Sequence, residues 1–141
     1  INQPVIIRNP HSIRPWQHVL EPLSGYLILA EKLYLEGQSW AEGWNFGPHD
    51  ADARSVEWIV KYMVNAWGND ATWKLDEKMN PHEANYLKLD ISKAKSRLSW
   101  HPQWDLPKAL KHIVDWHHAW LVKEDIQTLC MAQIEQYQNQ Q

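Results

Sequence analysis

The sequence predicts an α+β fold, mainly helical with a few short strands. Three observations predict it. Long stretches around 21–35, 53–67 and 105–121 carry apolar residues at helical spacing. Short β-branched or alternating runs lie between them. Proline, glycine and capping residues stand at the helix ends. The chain has 141 residues with no internal repeat or interior linker, and is expected to form one domain over 1–141 with a polar tail at 137–141.

"PVIIR", residues 4–8, reads as a strand, and the loop "NPHSIRPWQH" follows it. A helix is expected from about Glu21 to Leu35. Pro22 suits its first turn, where a missing N–H costs nothing, and Gly37 suits its end. Leu23, Tyr26, Leu27, Ala30, Leu33 and Tyr34 form one face, which Ile28 and Leu29 widen. Such a helix wants cover on more than one side. "GWNFGP", 43–48, reads as a short strand entering a turn. The next helix is expected over Ala53–Trp67, striped by Val56, Ile59, Val60, Met63, Val64 and Trp67 and stopped by Gly68.

"ATWKLD", 71–76, reads as an exposed strand. "NYLKLDI", 85–91, alternates, with Leu87 and Leu89 on one face and Tyr86 and Lys88 on the other. Asp90 or Ser92 can cap the short helix "SKAKSRL". Asp105 is placed to cap a helix with Pro107 in its first turn. Leu106, Ala109, Leu110, Ile113, His117, Trp120 and Leu121 would line its buried stripe. A last helix is expected over about Asp125–Tyr137.

Charge and composition restrict function. With 14 basic and 17 acidic residues and no basic stripe, nonspecific nucleic-acid binding is not expected. No stretch approaches the roughly 18 apolar residues of a membrane span, and no secretory leader pattern opens the chain. The opening "INQPVIIRNP" reads like the interior of a longer protein. Cys130 is the one cysteine, which excludes an intramolecular disulfide and a multi-cysteine zinc site and suits a cytoplasmic location. The 10 tryptophans point first to packing.

Few residues suggest chemistry. Arg14 stands between Ile13 and Pro15, just before a helix. A planar fork on a rigid approach suits phosphate, and a surface arginine in a loop is the plainer alternative. The histidines show no His-x-x-x-His or His-Glu-x-x-His spacing, so structural or surface roles are expected. Cys130 reads as a packed thiol on a buried stripe. The glycines at 25, 37, 43, 47 and 68 form neither a dinucleotide fingerprint nor a P-loop. His82, Glu83 and Asn85 gather in an expected loop, where polar groups could orient hydroxyls or a base.

Three segments are far more specific together: "IRNPHSIRPWQHVLEPLSGYLILAEKLY", "GWNFGP" and "NPHEANYLKLDISKAKSRLSWHPQWDL". In this order they resemble the C-terminal part of the CDP-glucose 4,6-dehydratases, a branch of the extended short-chain dehydrogenase/reductase family. The resemblance covers essentially the whole chain. It implies the substrate domain of such an enzyme, without the Rossmann domain that binds NAD and carries a Tyr-x-x-x-Lys pair. No tyrosine here has that spacing: the residues four after Tyr26, Tyr34, Tyr62, Tyr86 and Tyr137 are Ala30, Gln38, Ala66, Asp90 and Gln141. The chain is therefore expected to hold no catalytic residue for hydride chemistry and no NAD of its own.

The resemblance further implies site residues. Arg14 matches the arginine that relatives place on the nucleotide diphosphate. Asn45 matches an asparagine near the nucleotide, and His82 and Glu83 fall in a loop around it. Relatives often have an arginine where this chain has Asn80. The expected ligand is CDP-glucose or another cytidine nucleotide. The family's Rossmann domain covers the Glu21–Leu35 helix and the "WNFGP" segment. Left bare, Leu27–Ala30 and Val5–Ile7 would meet water, so self-association into a homo-oligomer, a dimer first, is expected. A noncatalytic interface protein is the alternative function. A stand-alone enzyme using His82 and Glu83 or a metal has no supporting spacing.

Overall fold

A computed structural model of the chain describes residues 3–78 and 84–140. The described residues form α1 (Leu20–Glu36), α2 (Val56–Trp67), α3 (Ser92–Leu98), α4 (Leu106–Leu121) and α5 (Ile126–Gln138), with strands β1 (Val5–Ile7), β2 (Ile13–Pro15), β3 (Ala53–Ser55) and β4 (Trp73–Leu75). The fold is α+β, as the sequence predicts. No described helix is long and apolar enough to cross a membrane.

The strands form two small ladders. β1 pairs in parallel with β4, and β2 pairs antiparallel with β3. Capping places the helices. Ser55 accepts the Trp58 N–H at α2, Asp105 the Lys108 N–H at α4, and Asp125 the Gln127 and Thr128 N–H groups at α5. Asp90 Oδ1 accepts the Ser92 N–H at the start of α3.

The core gathers Phe46, Ile91, Ala94, Leu98 and Trp100, with Ile28 and Leu29 of α1 packed against it. Two glycines make this approach possible. A Cβ on Gly25 would sit 2.2 Å from the Phe46 ring, and one on Gly47 would sit 2.9 Å from Leu89 Cβ. Beside the core, Trp40 stacks on Trp44 at 5.6 Å, and Arg97 of α3 lies over both rings. Glu42 pairs with Lys93 and Arg97, which ties this irregular segment to α3.

Several expectations are corrected. "GWNFGP" is not a strand: Phe46 and Gly47 are buried in irregular chain, because the segment serves the core with its side chains. "NYLKLDI" contributes one bridge, at Tyr86, and is otherwise irregular. Ala53–Ser55 is strand rather than helix, because β2 captures it before the Ser55 cap starts α2. On α4, Trp120 and Leu121 are exposed, while Val114 and Ala119 are buried. The predicted stripe drifts off the packed face toward the helix end. Cys130 is half-buried, not on a fully buried stripe.

The largest departure is α1. Leu23, Tyr26, Leu27, Ala30, Leu33 and Tyr34 face outward, with Leu27 73% and Tyr34 89% exposed. The packed side runs instead through Glu21, Gly25, Ile28 and Leu29. Val5 and Ile6 of β1 are also exposed. Of the stretches expected to meet water, Leu27, Ala30, Val5 and Ile6 are exposed, while Ile28 and Leu29 pack on the core and Ile7 is half-buried.

Candidate functional site

The site around Arg14 is built from β2 and its two neighbours. On one edge β3 pairs with register Ile13–Ser55, Arg14–Arg54 and Pro15–Ala53. On the other edge the Ile13 N–H donates to the Asn85 carbonyl at 2.9 Å, and the Leu87 N–H donates to the Ile13 carbonyl at 3.1 Å. β2 is thus the middle of three extended segments. The preceding loop is also fixed: the Val56 N–H donates to the Ser12 carbonyl and the Glu57 N–H to the Pro10 carbonyl. The N-terminal donors of α2 are spent on the loop that aims Arg14.

Arg14 itself is half-buried, and its Nη1 donates to the Ile13 carbonyl at 2.9 Å. Beyond β2, Trp16 Nε1 donates to the Arg54 carbonyl at 2.9 Å and Gln17 Nε2 to the Phe46 carbonyl at 2.9 Å. The rigid approach expected for Arg14 is thus made of backbone pairing on both edges and two side-chain ties.

Asn45 is exposed, and its Nδ2 donates to the Asp90 carbonyl at 3.2 Å. Arg14 and Asn45 both border the segment 84–91, one at its start and one at its end. His82 and Glu83, with Asn80, lie outside the described residues. Arg54 falls within the helix the sequence predicts over Ala53–Trp67, and only the β2–β3 register sets it opposite Arg14.

Away from Arg14, a concavity of about 280 Å³ lies between the start of α1, α4 and α5, lined by His18, Leu20, His112, Trp116, Cys130 and Gln133. The Leu20 N–H donates to His18 Nδ1 at 3.3 Å, and the His18 ring packs on Trp104 and His112. Burial, then the neighbouring His112, lowers the His18 pKa to about 4. Burial also lowers that of His112, which stacks on Trp104 at 4.2 Å. Trp116 Nε1 donates to Cys130 Sγ at 3.3 Å. These are neutral packed rings and a packed thiol. Among the described residues no cluster of three or more His, Cys, Asp or Glu could hold a metal ion.

NAD does not fit the described residues. Gly25 and Gly47 admit close side-chain packing, and Gly37 and Gly68 end helices at positive φ. None opens a phosphate-binding turn between a strand and a helix.

Comparison with known proteins agrees with the sequence reading. The chain is 59% identical over 136 residues to CDP-glucose 4,6-dehydratase of Salmonella typhimurium. The match covers 96% of this chain and 38% of that enzyme. In sequence, the chain is similar to the C-terminal part of that enzyme. No protein-family model matches it.

Proposed function

We propose that the chain is the CDP-sugar-binding part of a CDP-glucose 4,6-dehydratase and does not carry out the dehydration alone. The observation that carries this reading is the 59% identity maintained over 96% of the chain. The geometry of Arg14 supports it: a half-buried guanidinium on a strand held at both edges is a pre-positioned fork for a diphosphate. Asn45, His82 and Glu83 are proposed to stand around the nucleotide. The ligand is CDP-glucose or CDP, and the compartment is the cytoplasm. Oxidation at C4 needs NAD and a Tyr-x-x-x-Lys pair, and the sequence contains no such pair.

Calorimetric titration with CDP-glucose and CDP tests the binding half of this reading. Saturable heat that Arg14→Ala removes supports it, and absence of heat at millimolar ligand refutes it. Incubation with NAD and CDP-glucose tests the other half. Formation of a 4-keto sugar by the purified chain would refute it.

A second reading is favoured by the exposed apolar side of α1. In it the chain associates with itself through that face and the nucleotide is incidental. The proposed assembly is a homodimer, the commonest closed solution.

A further inference from the structure

Arg54 lies directly opposite Arg14 in the antiparallel β2–β3 register. Residues so paired project from the same face, with Cβ atoms about 5 Å apart. Two guanidiniums therefore start from one small patch. Like charges in this position disfavour folding. The structure nonetheless braces Arg54. Trp16 Nε1 holds the Arg54 carbonyl at 2.9 Å, and the Ser55 cap fixes the strand's exit into α2. The Arg54 guanidinium lies over the Trp58 ring, 5.4 Å from its centroid, and Trp58 stacks on Tyr62. An aromatic platform of this kind limits the side chain's freedom without consuming its N–H donors. Of the nearest acidic residues in sequence, buried Asp52 accepts the Leu106 N–H at 3.2 Å and Glu57 is paired with Lys61 at 2.6 Å.

A single phosphate is satisfied by one arginine fork. Two forks rooted on adjacent strands match two linked phosphates, whose charge also removes the repulsion between them. We infer that Arg54 is a second positioning residue for the diphosphate, acting with Arg14 from the neighbouring strand. The inference rests on the proposed sugar-nucleotide reading and adds to it a residue, a strand and a ligand group.

The test is calorimetric titration of the full chain with CDP and with inorganic pyrophosphate, using wild type, Arg14→Ala, Arg54→Ala and Arg54→Lys. Arg54→Ala is expected to weaken both ligands about tenfold, and Arg54→Lys by less, because lysine keeps the charge but loses the fork. The ligand-free melting midpoint of Arg54→Ala is expected to stay within about 3 °C of wild type, since relief of like charge offsets the lost ring contact. A merely structural role would lower that midpoint and leave the affinity of the folded protein unchanged, which overturns the inference. Loss of affinity in Arg14→Ala alone would also overturn it, while leaving the nucleotide reading intact. Failure of wild type to bind either ligand would overturn both. Binding of CDP without any affinity for pyrophosphate would remove the diphosphate clamp and keep the nucleotide.

Discussion

The Tyr137 hydroxyl donates to Glu21 Oε2 at 2.7 Å, joining the last helix to the first turn of α1 across 116 positions. Glu21 is fully buried. Its carboxylate also accepts the Trp104 N–H at 2.7 Å and the Gln103 N–H at 3.0 Å. Ser24 extends the network, taking the Trp100 Nε1–H at 2.9 Å. Burial of this side chain is tolerated because its two oxygens accept three hydrogen bonds. Burial foremost, then the bond to Glu21, raises the Tyr137 pKa far above the ordinary phenol value, so the tyrosine remains a donor.

Glu21→Gln is therefore expected to destabilise the fold by about 2–4 kcal/mol, because an amide NH₂ would face groups that are themselves donors. Tyr137→Phe removes one donor and is expected to cost about 1–2 kcal/mol. Urea unfolding followed by tryptophan emission measures both. Equal stability of Glu21→Gln and wild type would show that the network carries no weight.

Gly25 offers a test of close packing. A Cβ at 2.2 Å from the Phe46 ring cannot be absorbed by a small rotation, since Phe46 is itself clamped edge-on by Tyr26 and Trp100. Gly25→Ala is expected to lose about 1–3 kcal/mol despite the better helix propensity of alanine. Gly43→Ala, where nothing lies within 4 Å of the added carbon, is the matched control. If the two variants melt together, α1 is not seated on Phe46.

The pH dependence follows from His18. Its folded pKa, about 4, lies below the ordinary 6.5, so between these values the unfolded chain binds more protons than the folded one. Stability from this group is complete above pH 6.5 and is lost as pH falls toward 4, amounting to about 3 kcal/mol. His112 is shifted in the same direction by burial and adds to the slope. The melting midpoint is expected to fall from pH 7 to pH 5. His18→Asn, whose side-chain oxygen can still accept the Leu20 N–H, is expected to flatten the curve. An unchanged slope in that variant would assign the acid sensitivity elsewhere.

Much of the fold was legible in the sequence because its signals are local. The Ser92–Leu98 helix, the Asp105 cap and the glycines that end α1 and α2 depend on a few adjacent residues. Arg14, the proposed diphosphate ligand, stands out in the sequence through Pro15 beside it. Arg54 does not, because "ARSV" reads as the start of a helix until β2 pairs with it. Glu21 was missed for the same reason. Its donors come from the 103–104 backbone and from Tyr137, which no local pattern links to it. The outward turn of the α1 stripe has a similar origin. Apolar spacing identifies a helix but does not say which side meets Phe46 when a glycine lies on the other.

That outward stripe yields the last prediction. Leu27 and Tyr34 lie on the side of α1 away from the core and are exposed together with Tyr26 and Leu23 of the same helix. Burying such surface is worth about 25 cal/mol per Å². A second copy presenting the same stripe offers self-complementary cover. Sedimentation at rising concentration is expected to show a monomer–dimer equilibrium. The double variant Leu27→Lys, Tyr34→Lys is expected to abolish it, with the melting curve of the monomer preserved, since neither side chain supports the core. A wild-type chain that stays monomeric throughout would rule out this face as a self-association surface. Dimers that survive the double variant would place the interface elsewhere.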